Sequence, residues 1–151
     1  MRRLNISIFL VASVFIFISC AAAKDESVGE LKARFEKARL EERIGLGIQI
    51  AEHELRDADR LYNEGKVEEA RGAVGDIVSY SEKARDAALQ TRKHLKNVEI
   101  DVRKIADKLR DIKRNLAYED QPPVEQAIRR LEDVRTTLLK EMFAKDKKDK
   151  R

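Results

Sequence analysis

At 151 residues the chain has the length of one domain, and 40% of it is charged against 5% aromatic, with no Trp. That mixture excludes a broad globular core and points to long amphipathic helices or coiled coil. The formal net charge of +4 sits at the edges: Arg2 and Arg3 supply two positive charges, and residues 145–151 hold five basic and two acidic side chains. Residues 24–144 are left with 25 basic and 26 acidic residues, so no nucleic-acid partner is expected; such a binder concentrates Lys and Arg on one face of its folded part.

Arg2 and Arg3 precede an apolar stretch, Ile6 through Ile18, interrupted only by Ser7 and Ser13. This positive-then-apolar layout is that of an export signal over residues 1–19. Cys20 follows with no polar lead-up and is the only cysteine, so it has no partner for an intramolecular disulfide. Phe17-Ile18-Ser19-Cys20 resembles a bacterial lipobox, with Ser before Cys as is typical and Phe17 where Leu is usual. The resemblance covers about twenty residues of the chain. It implies cleavage before Cys20, lipidation of that residue, a short tether over 20–26 and a membrane attachment through the lipid. Two other readings stay open. Ala21-Ala22-Ala23 suits ordinary signal peptidase and a soluble product starting at Lys24, and Leu4 to Ala23 is just long enough to span a bilayer. All three place the folded part outside the cytoplasm, in a bacterial periplasm or on an outer surface.

Ser27-Val28-Gly29-Glu30 reads as a capping box opening a helix from about residue 27 to Asn63, where Asn63-Glu64-Gly65 is a helix stop. Within that helix the apolar stripe slips phase: Val28, Leu31, Phe35 and Ala38 do not continue into Ile48, Ala51, Leu55 and Ala58. Gly45 and Gly47 lie between the two sets and predict a hinge there, since each Gly costs a helix about 1 kcal/mol. A dinucleotide-binding turn would need a third Gly and a preceding strand.

A second helix is expected over about 66–117. Apolar or small residues recur along it at alternating steps of three and four from Val67 to Leu116, with only Ser81 and Thr91 polar on the stripe; this is the strongest pattern in the chain. Tyr118 to Pro123 is a turn, and a third helix over about 123–144 shows Val124, Ala127, Leu131, Val134, Leu138 and Met142 on one face. Residues 145–151, "KDKKDKR", have no apolar content and read as a disordered basic tail, suited either to anionic headgroups or wall polymer or simply to solubility.

The three lengths, ~54, ~75 and ~32 Å, joined by short turns, predict an all-α, elongated antiparallel three-helix coiled coil or bundle with a long central helix over residues 27–144. The alternative is a compact four-helix bundle, with the second helix broken near Arg92-Lys93-His94. No Gly or Pro stands there to break it, so a continuous helix is preferred.

Candidate sites are few. His53 and Asp57, four residues apart on a helix, could share a metal, but helical di-metal sites use Glu-x-x-His pairs and neither His is preceded by Glu at that spacing. The two histidines read as solvated surface groups, and no cofactor is expected. Leu61-Tyr62, Gly65 and Glu69-Ala70 resemble the inter-helix turn of a tetratricopeptide repeat. That resemblance covers about ten residues and occurs once, whereas a repeat array needs at least three copies. No Ser, His and Asp are spaced to converge, and no catalytic residue is expected. The sequence therefore suggests an exported structural or interaction protein, with a protein partner or self-association as a homo-oligomer. The alternative is a periplasmic chaperone-like or carrier module for a client peptide, metal or small ligand.

Overall fold

The structure is a computed structural model that describes the backbone of residues 26–149 and the side chains of 26–144. The signal segment 1–19, Cys20 and the tether to Asp25 lie outside the described residues. The described residues form an all-helical bundle: α1 (Val28–Lys37), α2 (Leu40–Asn63), α3 (Val67–Thr91), α4 (Leu95–Asn115) and α5 (Gln121–Asp149), with one 3-10 turn at Tyr118–Asp120.

The first cap is as the sequence specifies. The Ser27 N–H donates to Glu30 Oε2 at 2.9 Å and the Glu30 N–H donates to Ser27 Oγ at 3.3 Å, satisfying two orphan donors reciprocally. The helix then stops earlier than expected. Ala38 and Arg39 are both extended, with ψ of 150° and 157°, so the element expected over 27–63 is two helices meeting at a corner. Arg43 closes that corner. Its Nε and Nη2 donate to the carbonyls of Ala38 and Glu36, both at 3.1 Å, and its guanidinium stands 5.5 Å from the Phe35 ring centre. These bonds satisfy carbonyls that the end of α1 leaves free. The phase slip of the apolar stripe thus marks a corner at 38–39, and α2 runs unbroken through Gly45 and Gly47.

Gly47 serves close approach instead. A Cβ there would meet the Tyr80 carbonyl oxygen at 2.9 Å and Ala84 Cβ at 3.0 Å, while one at Gly45 meets nothing within 4 Å. Gly47→Ala is therefore expected to cost about 1–3 kcal/mol by overpacking. Gly45→Ala is expected to gain about 0.5–1 kcal/mol from helix propensity. Urea unfolding of the two variants checks the contrast; equal effects would place the α2–α3 contact elsewhere.

α2 ends in a Schellman motif: Lys66 N–H reaches the Leu61 carbonyl at 2.9 Å, Gly65 N–H reaches that of Tyr62 at 3.0 Å, and Gly65 is left-handed at φ 73°. Small residues line this hairpin. Ala51 and Ala58 on α2 and Ala70 on α3 are fully buried, and α2–α3 is the most extensive helix contact.

The helix expected over 66–117 is also two. Arg92 and His94 are left-handed at φ 53° and 59° although neither is Gly, and they reverse the chain between α3 and α4. Thr91 Oγ1 donates to the Ala87 carbonyl at 2.8 Å and accepts from the Lys93 N–H at 3.4 Å, while Lys93 Nζ pairs with Glu41 at 2.8 Å. Left-handed non-glycine residues cost roughly 1–2 kcal/mol each. Burial of Val98, Val102, Ile105 and Leu109 against the other helices offsets that. Arg92→Gly and His94→Gly should each raise stability by about 0.5–1 kcal/mol by relieving this strain. In a continuous helix each would lower it by about 1 kcal/mol, so the sign of the shift in thermal unfolding reads the break directly.

Ion pairs mark the relative directions of the helices. Arg71–Asp120, Glu82–Arg130 and Arg92–Glu141 advance together along α3 and α5, so these two run parallel. Glu41–Lys93 at the start of both helices places the beginning of α2 beside that of α4. α4 pairs with α5, which also packs on α3, and α2 touches α4 less closely. α5 opens with Pro122 and Pro123 in its first turn, where the missing N–H groups have no intrahelical acceptor. Gln121 Nε2 donates to the Leu116 carbonyl at 3.1 Å, covering the end of α4. The expected helix end at 144 is passed as well: the backbone stays helical to Asp149, because Lys and Asp without Gly or Pro do not stop a helix that is already propagating.

Candidate functional site

The residues singled out as metal candidates are not brought together with a third ligand. His53 is half-buried on α2, and Asp57 Oδ1 accepts from Arg60 Nη2 at 2.9 Å. Among the described residues no three His, Cys, Asp or Glu side chains converge as a metal ion would require. Among the same residues, no helix is long and apolar enough to cross a membrane.

Two arrangements stand out that the sequence did not reveal. The first is an ionic cluster where α1 crosses α2 and α3. Lys32 Nζ reaches Glu54 Oε1 and Asp76 Oδ2, each at 2.6 Å, and Glu54 is 7% exposed. Burial pushes the Glu54 carboxyl above its ordinary value, outweighing the hydrogen bond and charge of Lys32; the negative charges of Asp76 and Asp57 add to the rise. Burial also works against the Lys32 ammonium, but its bonds to Asp76 and Glu54 prevail and push it up to about 12. Beside the cluster the Phe35 and Tyr80 rings meet edge-on with centres 5.3 Å apart, and Lys83 Nζ lies 4.4 Å from the Tyr80 ring. Burial raises the Tyr80 phenol, with Lys32 opposing. A buried carboxylate and a cation are groups from which catalytic sites are made. Here they sit on a packed seam, and none of them lines the grooves between the helices.

The second arrangement is the seam between α2 and α4. Near the α3–α4 link, Glu41, Glu42, Glu52 and Asp101 rim a shallow depression with His94, above Ile44, Ile48 and Val98. Further along, Arg56, Lys104 and Lys108 face Asp59 and Asp111 across Leu55, Ile105 and Ile112. Both depressions are open to solvent, in keeping with the loose contact of these two helices.

Comparison with protein-family models, with curated proteins and with solved structures finds no match for this chain. The chemistry therefore rests on the geometry alone. On α4 and α5, Arg135 binds Glu99 through Nε and Nη2 at 3.0 and 2.8 Å and Glu132 through Nη1 at 2.8 Å, while Arg110 also reaches Glu132. Glu99, like Glu54, is a buried carboxylate held by a cation from the neighbouring helix. In both clusters long charged side chains reach across helix seams, Lys32 from α1 to α2 and α3, and Arg135 and Arg110 between α4 and α5. Glu54 and Glu99 each fall one residue beside a predicted apolar position, at the edge of the stripe; that adjacency is the only signal the sequence holds for them.

Proposed function

We propose that this is an exported cell-envelope protein, lipid-anchored at Cys20, with a structural or protein-interaction role and no enzymatic activity. In this reading α2 to α5 form a compact four-helix bundle, and α1 is strapped across α2 and α3 as a brace. What carries the proposal is the junction at Cys20, where Arg2, Arg3 and the apolar run 6–18 lead into a lipobox-like FISC. The short 92–94 link and the parallel pairings of α3 with α5 and α2 with α4 support the four-helix arrangement over an elongated three-helix rod. The matched buried charges support a scaffold, because they orient helices and leave the outer faces for contacts. The intact mass of the mature protein tests the anchor: a diacylated chain beginning at Cys20 is expected, and an unmodified chain beginning at Lys24 would overturn it.

The open α2–α4 seam, with apolar residues beneath charged rims, favours one second reading, a carrier or chaperone-like module for a client peptide, metal or small ligand. Sedimentation and metal analysis separate the two. A concentration-dependent oligomer without metal supports the scaffold, whereas a monomer stabilised by unfolded peptide or by metal supports the carrier.

A further inference from the structure

α1 joins α2 through two residues that have no reason in the sequence to turn. Glu36-Lys37-Ala38-Arg39-Leu40-Glu41-Glu42 consists of strong helix formers throughout. Ala38 and Arg39 are nevertheless extended, at φ −73° and −66°. The corner is held bent by the Arg43 bonds to Ala38 and Glu36 and by the seat of α1, where Leu31 and Phe35 are buried and Lys32 lies between Glu54 and Asp76. Were residues 38 and 39 helical, α1 and α2 would be one helix from Val28 to Asn63, about 54 Å long. At 3.6 residues per turn Phe35 and Ala51 would then stand about 160° apart. The apolar side of α1 would face away from the core that α2 shares with α3, and its cover would have to come from another molecule. One surface on the page fits it. The α2–α3 face offers Glu54 and Asp76 to the Lys32 ammonium and the edge-on Tyr80 ring to Phe35.

We propose that α1 is an exchangeable arm: two copies of this chain straighten at Ala38-Arg39, and each seats its α1 on the α2–α3 face of the other. Exchange of identical elements keeps every contact of the seat. It gives up the Arg43 bonds and gains helical backbone hydrogen bonds through residues 38 and 39, where the sequence favours them. The straightened chain has an empty seat, which only the arm of the partner completes. Leu40, left 38% exposed beside the corner, lies where the two straightened links pass each other and gains an apolar neighbour there. Opposing the exchange is the nearness of the chain's own arm, whose effective concentration on so short a link is on the order of millimolar. The closed monomer therefore prevails in dilute solution, and exchange rises with concentration. The arm uses the seat of α1 alone and is independent of whether Cys20 carries a lipid.

Sedimentation of the full-length chain in detergent, after refolding at concentrations up to about 1 mM, reads the exchange. Residues 1–25 are common to the parent and every variant, so differences among them report on the arm. Arg43→Ala frees the corner and should raise the dimer fraction about fivefold. Arg39→Pro fits the closed corner, because Arg39 has φ −66° and Ala38 before it is extended; it forfeits only the 3.4 Å bond from the Arg39 N–H to Glu42. Inside a continuous helix the same Pro is a break, so the dimer should fall more than about tenfold. A chain that stays monomeric throughout, Arg43→Ala included, or a dimer that Arg39→Pro leaves intact, would overturn the arm. Mixing two variants then shows where the arm sits. Lys32→Glu repels its own seat, and Glu54→Gln/Asp76→Lys repels its own Lys32. Each alone should remain monomeric. Their equimolar mixture should give a heterodimer about tenfold in excess of either homodimer, since each arm finds the opposite charge only on the other copy. Absence of that preference means that the copies associate side by side and rules the exchange out. Circular dichroism should show both charge variants folded through α2 to α5, and the Arg39→Pro comparison decides without them if they are not.

Discussion

Replacing Leu109 or Leu131 with Ala is expected to lower stability by about 2–5 kcal/mol and to do so in a single unfolding transition. Both side chains are fully buried, Leu109 on α4 and Leu131 on α5. The range reflects transfer of the lost methyl and methylene groups plus the hole left behind, which collapses only in part in a core that also buries the β-branched Val102, Val124 and Val134. Ile77→Ala on α3 should fall in the same range, since Ile77 is equally inaccessible. The informative measurement is the number of transitions. In a compact bundle α3 packs on α5 and α2 on α4, so a cavity in either half lowers the same midpoint. In an elongated rod, the first hairpin and the distal hairpin share few contacts. A second transition in Leu131→Ala, with the signal of the α2–α3 half unmoved, would then appear and would sink the compact arrangement. Chemical denaturation followed by circular dichroism and by Tyr fluorescence suffices in a Tyr118→Phe background, because the two remaining tyrosines, Tyr62 and Tyr80, both lie in the α2–α3 half.

The sequence made the buried surface legible and left the path of the backbone partly hidden, for reasons that can be named. The three-and-four stripe from Val67 to Leu116 is buried or half-buried at its predicted positions on both sides of the 92–94 link. The link takes up three residues between Thr91 and Leu95, which is one step of the heptad, so the reversal leaves the apolar period intact. Reversals announce themselves through Gly, Pro or Asn. Here Arg92 and His94 take left-handed conformations that residue type disfavours, and tertiary burial of α4 decides the matter. Gly65 gives the opposite case, since the residue that the turn requires stands where the turn is, and the Schellman bonds follow. The Ala38–Arg39 corner lies between these. The phase slip signals it, but Gly45 and Gly47 draw the reading away from Arg43, whose bonds to Ala38 and Glu36 depend on three-dimensional proximity. The ionic clusters around Glu54 and Glu99 were illegible for a related reason: each joins residues more than twenty positions apart, and in a chain so rich in charge no pair is singled out by its neighbours.

Lys32→Met should lower stability by about 2–3 kcal/mol, whereas Asp76→Asn should cost well under 1 kcal/mol. Removing one partner of a buried pair strands the other, at about 3–5 kcal/mol where both are fully enclosed. The Lys32 side chain is 31% exposed, so solvent screens part of that, while the Asp76 side chain is 43% exposed and rehydrates readily. Glu54 is the group left stranded, and protonation is its way out. The deficit of Lys32→Met should therefore shrink as pH falls below the raised value of Glu54, and the double variant Lys32→Met/Glu54→Gln should recover to within about 1 kcal/mol of the parent. In the parent chain the folded state binds the Glu54 proton more tightly than the unfolded chain does. That group's contribution to stability accordingly falls as pH rises from about 4.5 through its raised folded value. The alkaline limb has the same sign by another route. Lys32 titrates near 12 when folded against about 10.5 when unfolded, so its contribution is whole below 10.5 and is lost as pH climbs through 12. The Tyr62 and Tyr80 phenols are also raised by burial, so the unfolded chain ionises first, and stability falls as pH rises above about 10. Lys32→Met should show a shallower decline between pH 10.5 and 12 than the parent. A variant curve parallel to that of the parent over this range would mean that Lys32 gains nothing from Glu54 and Asp76, and that α1 is held on α2 and α3 by Leu31 and Phe35 alone.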